Sequence, residues 1–185
     1  MEYKAQNLVI GGGIAGLVTA LELLDCGQTV VIVDRDSRER FGGLALWAFG
    51  GMALIDTPEQ RRMGVKDSPE LALEDWIRFG ELTADQKWPL AWARCYVDES
   101  RTLVYDWLKS LGLKFMPAVN LVERGESIKG TSVARYHILW GTGRVLVETI
   151  IQRLLNHCLL YTSPSPRDQR EQRGCRRLLE GGGGG

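Results

Sequence analysis

The chain has 185 residues, of which 44% are hydrophobic and 25% are charged, as in an ordinary soluble globular domain. Its 23 basic and 23 acidic residues give a formal net charge of zero, so there is no overall electrostatic reason to expect a nucleic acid or an anionic membrane as a partner. The chain contains no apolar run of the roughly 20 residues that span a bilayer, and it does not open with a secretion signal. We therefore expect no transmembrane segment and a cytoplasmic location.

The first predicted elements form a β-α-β unit. The apolar run at residues 7–10 predicts a strand that is buried on both faces of a parallel sheet. It leads into a G-x-G-x-x-G pattern at residues 11–16, which is followed by apolar residues at helical spacing. A second, β-branched strand at residues 29–33 ends at Asp34. A dinucleotide-binding pattern requires this order of strand, turn, helix and strand within about 30 residues.

Each residue of the glycine-rich turn has a physical role. Gly11 allows the tight turn from strand to helix, Gly13 lets the backbone approach a pyrophosphate, and Gly16 lets the helix pack closely on the strand. The helix then starts at Ile14 and Ala15, where free N–H groups and the positive end of the helix dipole attract phosphates. The pattern therefore predicts an adenine dinucleotide at this turn, and the alternative is a β-α turn without a ligand.

Asp34 and Arg35 complete the candidate nucleotide site at the end of the second strand. The Asp34 carboxylate can accept hydrogen bonds from a ribose hydroxyl, and its charge would repel the 2′-phosphate of NADP. We include Arg35, the next residue, among the cofactor-binding candidates. The β-α-β unit by itself does not distinguish FAD from NAD.

A second glycine-rich segment at residues 40–51 favours FAD. An NAD-binding domain would normally begin another crossover helix here, whereas two glycine pairs suggest backbone that runs along a large flat ligand. The alternative is a mobile surface loop, although Leu44, Leu46, Trp47 and Phe49 are poor residues for a loop in open solvent. The ligand-lining candidates in this segment are Gly42, Gly43, Phe49, Gly50 and Gly51.

Five stretches of the chain resemble the FAD-binding proteins of the fumarate reductase/succinate dehydrogenase type, and among them bacterial dehydrogenases similar to 3-ketosteroid dehydrogenases. These stretches are VIGGGIAGL, VVIVDRD, FGGLALWAFGGM, DTPEQRRMGVKDSPELALEDW and SVARYHILWGTG. The resemblance implies an α/β, Rossmann-like three-layer fold and a non-covalent FAD. It places the adenosine ribose on Asp34 and the ribityl and isoalloxazine groups along residues 42–43 and 49–51. The residues that it places at the pyrophosphate are Gly11, Gly13, Ile14, Ala15 and Gly16.

The middle of the chain is predicted to be mostly helical. Thr57 and Ser68 each precede a proline and a glutamate, which predicts two helix starts. A longer helix is expected over about 90–111, and short strands over 113–117, 119–123 and 133–139. The spacing of four tryptophans favours core packing over a substrate pocket. They are Trp76, Trp88, Trp92 and Trp107.

Arg135 and His137 allow a catalytic interpretation, because a histidine beside an arginine can move a proton or polarise a carbonyl. The alternative, which we favour, is a structural role, since no partner carboxylate is evident in the sequence. The turn at residues 141–143 could contact the flavin or only cap the helix that follows, and the sequence does not decide between these. Two acidic clusters are expected to be solvated helix faces. They are Glu70/Glu74/Asp75 and Asp98/Glu99.

The composition changes abruptly at Cys158, where Ser-Pro pairs, arginines and a terminal glycine run begin. Composition alone would predict a disordered linker. Translated back into codons, however, residues 158–168 resemble the transposase adapter of short-read sequencing libraries, and residues 173–185 resemble its remainder followed by a run of G. We therefore expect residues 1–157 to be a partial FAD-binding domain with the start of a helical, substrate-side region, and residues 158–185 to be a non-native, disordered tail.

The expected function is that of a FAD-dependent dehydrogenase, which transfers a hydride between flavin and a carbon of a small-molecule substrate such as a ketosteroid-like compound. Residues 1–185 alone are expected to be inactive. The alternatives are an NAD-dependent enzyme and a non-catalytic dinucleotide-binding module. The four cysteines form no CxxC pair or zinc spacing, so no metal site is predicted. The catalytic residues, the electron acceptor and the oligomeric state are not predicted.

Overall fold

The computed structural model describes residues 4–37, 40–118, 122–125, 128–157 and 160–162. They belong to two compact units: the first comprises the residues up to 47 and those from 147 onward, and the second comprises residues 48–146. The strands are β1 (Asn7–Ile10), β2 (Val30–Val33), β3 (Gly51–Ala53), β4 (Phe115–Pro117), β5 (Tyr136–Leu139) and β6 (Leu160–Thr162). The α-helices are α1 (Ile14–Asp25), α2 (Pro58–Arg62), α3 (Pro69–Phe79), α4 (Lys87–Glu99), α5 (Trp107–Ser110) and α6 (Thr142–Leu155).

The first unit contains the predicted β-α-β arrangement. Its sheet is parallel in the order β1-β2-β6, with Asn7 opposite Val30 and Val30 opposite Leu160. Helix α1 turns an apolar stripe inward, as its helical spacing predicts. The stripe consists of Leu17, Ala20, Leu21 and Leu24, all of which are buried. The α/β, parallel-sheet class predicted from the sequence is therefore confirmed.

The prediction that the first strand is buried on both faces is wrong for this unit. In β1 only Val9 is buried, while Leu8 is 61% and Ile10 81% exposed. Successive side chains of a strand point to opposite faces of the sheet. The Val9 face meets α1, since a methyl group added at Gly16 would lie 3.3 Å from the Val9 Cγ1 atom. The described residues of this unit leave the other face of β1 uncovered.

The second unit is built on an antiparallel sheet in the order β3-β5-β4. Both predicted helix starts are confirmed. The Thr57 side chain accepts from the Gln60 backbone N–H and the Gln60 side chain accepts from the Thr57 N–H, which is a complete capping box at α2. At α3, the Ser68 hydroxyl accepts from the Leu71 N–H at 3.2 Å.

The helix expected over about 90–111 exists but is not regular. Helix α4 ends at Glu99, a π-helical turn covers Ser100–Asp106, and α5 continues as far as Ser110. The strands expected over 113–117 and 133–139 are shorter, at Phe115–Pro117 and Tyr136–Leu139. Most of the strand expected over 119–123 lies outside the described residues. Among the described ranges, no helix has the length and hydrophobicity needed to cross a membrane.

Core packing is the wrong prediction for three of the four tryptophans, namely Trp76, Trp88 and Trp92. Trp88 is 69% and Trp92 72% exposed, because α4 turns Ala93 and Val97 inward instead. Apolar residues occur on both faces of this helix, so helical spacing alone does not predict which face is buried. Trp76 is partly exposed and meets the Tyr96 ring edge-on, with 5.4 Å between the ring centroids.

Candidate functional site

The glycine-rich turn has the geometry that its spacing predicts. Gly11 adopts a φ of +104°, a region that L side chains rarely occupy, and its N–H donates to the Val33 carbonyl at 2.8 Å. A methyl group at Gly16 would overlap the Gly11 carbonyl oxygen. Gly16 therefore allows α1 to start directly against the turn that follows β1.

The start of α1 is open at Gly13. This residue is the N-cap of α1, so it has no side chain to cap the first N–H groups of the helix, and those of Ile14 and Ala15 follow it directly. Among the described residues, no heavy atom outside Gly13 and its two chain neighbours lies within 4 Å of the position that a Cβ atom would take. The helix dipole and the uncapped N–H groups favour an anion at this position. A pyrophosphate therefore fits the residues present here.

Asp34 adjoins this turn at the carboxyl end of β2. Its Oδ2 atom accepts a hydrogen bond from the Gly12 N–H, and its Oδ1 atom accepts one from the Asp36 N–H at 2.7 Å. Each carboxylate oxygen can accept more than one hydrogen bond, so both could still bind ribose hydroxyls. The bond to Gly12, which the sequence did not predict, also ties Asp34 to the glycine-rich turn. Arg35 is exposed at the bend that follows.

The first glycine pair of the second segment lies directly against the turn. Gly42 forms a parallel β-bridge with Gly13, and a methyl group at Gly43 would lie 3.2 Å from the Gly13 Cα atom. The ring of Phe41 occupies the space beside Gly12 into which a Cβ atom would project. The backbone of residues 42–43 therefore lies beside that of Gly13, although the two segments are distant in sequence. In the 3₁₀ helix Gly43–Trp47, Leu44 is 88% and Trp47 80% exposed.

The second glycine pair lies in the second unit, where its backbone is held on both sides. Gly50 has a φ of +80°, its carbonyl accepts from the Leu139 N–H at 2.9 Å, and a methyl group on it would stand 3.0 Å from the Gly143 nitrogen. The Phe49 ring lies against Gly51 and is 61% exposed. Residues 49–51 therefore combine a fixed backbone with an exposed apolar ring, as expected of a segment that lines a flat ligand.

The turn at residues 141–143 is used within the fold. The Gly143 N–H donates to the Ala48 carbonyl at 2.9 Å, and the Val145 N–H donates to the Gly141 carbonyl at 3.3 Å. Thr142 has a φ of +66°, and its hydroxyl oxygen accepts from the Arg144 N–H at 3.4 Å. These hydrogen bonds favour the capping interpretation of the turn.

Arg135 is the centre of a buried ionic cluster. Its guanidinium donates through Nε and Nη2 to Asp67, at 3.0 and 2.8 Å, and through Nη1 to Asp75 at 2.7 Å. The two carboxylate side chains are at most 1% exposed, and the Arg135 side chain is 9% exposed. The sequence did not identify these partners, because they lie 68 and 60 residues from Arg135.

Asp75 is not on a solvated helix face, so that prediction is wrong for this residue. Besides Arg135, it accepts hydrogen bonds from the Ser132 N–H and hydroxyl, both at 2.7 Å, and from Arg78. Burial raises the pKa of this carboxyl group, but the hydrogen bonds from Ser132, Arg135 and Arg78 outweigh that effect and lower the pKa to about 2. Glu74, its neighbour, is exposed as expected.

The environment of His137 favours a structural role over a catalytic one. Its side chain is fully buried, with Nδ1 at 2.8 Å from the Arg135 carbonyl oxygen and Nε2 at 2.7 Å from the Thr57 hydroxyl. Both ring nitrogens are therefore engaged within the protein. Burial lowers the pKa of His137, more than the hydrogen bond to the Arg135 carbonyl raises it. A neutral imidazole held in this way is a poor candidate for proton transfer to a substrate.

A third buried acid, Glu59, was noted in the sequence only as part of a helix start. The Tyr105 hydroxyl donates a hydrogen bond to it, and Tyr105 also stacks on Phe115 with 5.5 Å between the ring centroids. Burial raises the pKa of Glu59, but the hydrogen bond from Tyr105 and other interactions lower it overall. Nothing in the spacing of these residues predicts their contact, because Tyr105 lies 46 positions after Glu59.

Comparison with known proteins gives a family and several relatives. Residues 7–164 match the FAD binding domain family. A KsdD-like steroid dehydrogenase of Mycobacterium tuberculosis (strain ATCC 25618 / H37Rv) is 45% identical over 154 residues, which are 81% of this chain and 27% of that protein. The KsdD-like steroid dehydrogenase of Mycolicibacterium smegmatis is 44% identical over the same share of this chain and 28% of its own length. The chain thus spans about a quarter of the length of these relatives.

Solved structures agree in fold. The open conformation of a flavocytochrome c3 fumarate reductase matches with a TM-score of 0.57 and 25% identity, over 85% of this chain and 26% of that one. The 3-ketosteroid Δ1-dehydrogenase of Sterolibacterium denitrificans, in complex with 1,4-androstadiene-3,17-dione, matches with a TM-score of 0.55 and 16% identity, over 74% of this chain and 23% of that one. These findings confirm the resemblance noted from the sequence: the chain belongs to the FAD binding domain family, and its cofactor is FAD.

Proposed function

We propose that the protein is the FAD-binding part of a dehydrogenase that acts on a small, ketosteroid-like molecule. The observation that carries the proposal is the open start of α1 at Gly13, with Asp34 beside it. The names of the mycobacterial relatives, which are steroid dehydrogenases, support the substrate class. When bound, FAD supplies the redox chemistry by exchanging a hydride equivalent with a substrate carbon.

The chain's own residues would bind and orient the cofactor. The backbone N–H groups at the start of α1 would hold the pyrophosphate, and the Asp34 carboxylate would accept from the adenosine ribose. The exposed apolar ring of Phe49 and the fixed backbone beside it would exclude water from one part of the flavin. The proposed cofactor-binding residues are Gly11, Gly13, Ile14, Ala15, Gly16, Asp34, Arg35, Gly42, Gly43, Phe49, Gly50 and Gly51.

A substitution of Gly13 tests the binding site directly. Gly13→Ala should leave the fold intact, because the added methyl group meets open space. It should nevertheless weaken FAD binding at least about tenfold, since the methyl group stands where a pyrophosphate must approach the backbone. The matched control is Gly27→Ala at the other end of α1, where a φ of +76° makes alanine strained. The control should lower the melting temperature without changing FAD affinity.

Fluorescence titration with FAD, together with thermal melts of both variants, measures the two effects separately. If Gly13→Ala bound FAD as tightly as the wild type, the pyrophosphate would not lie at the start of α1. If the wild-type chain acquired no flavin absorption after incubation with FAD and gel filtration, the FAD-binding proposal would fail for this chain.

The domain boundary at residue 157 remains a proposal. Strand β6 lies just beyond that boundary, and residues 163–185 lie outside the described part of the chain. Independent sequencing of the source nucleic acid across the codons for residues 158–185 would test the adapter explanation. A reading frame that continues past residue 157 would supply the protein on which to assay oxidation of a 3-ketosteroid with an artificial electron acceptor. Confirmation of the present tail would instead favour the non-catalytic binding module.

The cytoplasmic location is also a proposal. It is supported by Cys26 and Cys95, which are free and exposed thiols, as expected of a protein in a reducing compartment.

A further inference from the structure

The Arg135 cluster is costly for a protein to build. Three ionised side chains, Asp67, Asp75 and Arg135, are each at least nine-tenths removed from water in the second unit. Their hydrogen bonds compensate for the lost hydration, but apolar side chains of similar volume often give equal or greater stability. Stability alone is therefore a weak explanation for the cluster. A planar guanidinium held by two carboxylates does, however, fix the direction of its own backbone.

The backbone at Arg135 is where β5 engages the segment that contains Gly50. The Arg135 carbonyl accepts from the Leu54 N–H at 3.0 Å and lies 2.8 Å from His137 Nδ1. Four residues further along, the Leu139 N–H donates to the Gly50 carbonyl at 2.9 Å. Between these two points β5 pairs with β3, with Gly51 opposite Ile138. The backbone of Arg135 thus lies at one end of the short β3–β5 ladder of hydrogen bonds, and Gly50 lies at the other end.

The ladder is short, so its register needs an anchor. Strand β3 has three residues and β5 has four. A slip of one residue would turn every side chain of a strand to the opposite face of the sheet. Asp67 lies just before α3 and Asp75 lies within α3, so Arg135 is fixed to a helix and not only to the neighbouring strand. The His137 ring, bonded to Thr57 before α2, adds a second anchor on the same strand.

We propose that Arg135, held between Asp67 and Asp75, is a positioning residue for the flavin: it fixes β5 and so places the backbone of residues 49–51 along the isoalloxazine ring. This inference rests on the proposed function, which assigns residues 49–51 to the flavin. Arg135 itself does not touch the cofactor in this account. It acts through the β3–β5 ladder.

The decisive variant is Arg135→Lys, which keeps the positive charge but loses the planar fork that holds two carboxylates at once. The matched control is Arg61→Lys in the same unit, because Arg61 pairs with Asp56 at the surface and its side chain is 61% exposed. Three quantities are compared at a temperature where both variants are folded. They are the FAD dissociation constant, the visible spectrum and midpoint potential of bound flavin, and amide hydrogen exchange in a peptide that covers residues 48–55.

For Arg135→Lys we expect faster exchange in that peptide, a flavin spectrum and potential shifted from the wild type, and FAD affinity reduced about tenfold. The control should match the wild type in all three. A role confined to stability would lower the melting temperature of Arg135→Lys without shifting the spectrum or potential of the flavin that remains bound. That result, or unchanged exchange, would overturn the inference.

If Arg135→Lys does not fold, Asp67→Asn replaces it. This variant keeps the shape of the side chain and leaves Arg135 paired with Asp75, and the same shifts are expected at smaller amplitude. Unchanged flavin properties in a folded Asp67→Asn variant would refute the positioning role. Failure of the wild type to take up FAD is a different result, because it refutes the proposed function and with it the cofactor role of Arg135.

Discussion

The buried histidine makes the stability of this protein sensitive to mildly acidic pH. The Arg135 carbonyl can only accept a hydrogen bond, so Nδ1 of His137 must carry the proton and donate. In the neutral ring Nε2 is then an acceptor, and the Thr57 hydroxyl donates to it at 2.7 Å. Protonation would place a charge on a ring that is 0% exposed, and it would also take away the acceptor that Thr57 uses.

The direction and size of the effect follow from this environment. Burial lowers the pKa of His137 in the folded protein, whereas the unfolded chain has a pKa of about 6.5. Below that pH the unfolded state binds a proton that the folded state resists, so stability falls as pH falls. The loss is at most about 1.4 kcal/mol per pH unit, or about 2 kcal/mol between pH 6.5 and 5. Domains of this size typically have only about 5–15 kcal/mol of stability.

Urea denaturation at pH 7.5, 6.5, 5.5 and 5.0 measures the effect, with His137→Gln as the comparison. The range stops at pH 5 because two buried acids would add their own effect below it. The pKa of Asp75 is lowered to about 2 and that of Glu59 is also lowered, so their contributions to stability are lost only at lower pH. We expect the variant to be less stable at pH 7.5 but to lose most of the slope below pH 6.5. An equal slope in both proteins would refute the reasoning.

Three further predictions concern the second unit. Asp75→Asn should lower the free energy of unfolding by about 3 kcal/mol, because it breaks a buried ion pair. Glu74→Gln, on the exposed side of the same helix, should change it by no more than about 0.5 kcal/mol, and equal urea midpoints for the two variants would contradict this. Tyr105→Phe should cost about 1–3 kcal/mol, since buried Glu59 loses a donor. The cost should shrink as the pH falls and the Glu59 carboxylate takes up a proton, because the hydrogen bond favours the ionised form, and a cost independent of pH would count against the hydrogen bond. Gly50→Ala should lower the free energy of unfolding by about 1–3 kcal/mol from its positive φ alone, and it should also weaken FAD binding. Unchanged melting and FAD titration curves would disprove both effects.

Local signals were sufficient for the glycine-rich turn and for two of the helix starts. The turn at Gly11–Gly16 is specified by residues within a few positions of one another, and so are the helix starts at Thr57 and Ser68, which is why the structure agrees with the sequence there. The helix over 90–111 was correct in extent, but its pattern did not reveal the π-helical turn at Ser100–Asp106. The FAD binding domain family was also accessible from the sequence, because its motifs are short and contiguous.

Contacts between distant residues were not accessible in this way. Periodicity shows which residues share a face of a helix, but it does not show which face meets a neighbour, so Trp88 and Trp92 were assigned to the wrong side of α4. The contact of Gly42 with Gly13 was not predicted either, because each segment by itself has only the pattern of a glycine-rich turn.

The sequence by itself therefore determined the glycine-rich turn, the helix starts and the FAD binding domain family, because each depends on neighbouring residues in short segments. Only the tertiary structure decided that Arg135 and His137 are buried among hydrogen-bond partners and that Asp75 is buried. An arginine, a histidine and an aspartate are ordinary surface residues unless the fold supplies partners for them. Burial and pairing across 60 or more residues are properties of the packed chain.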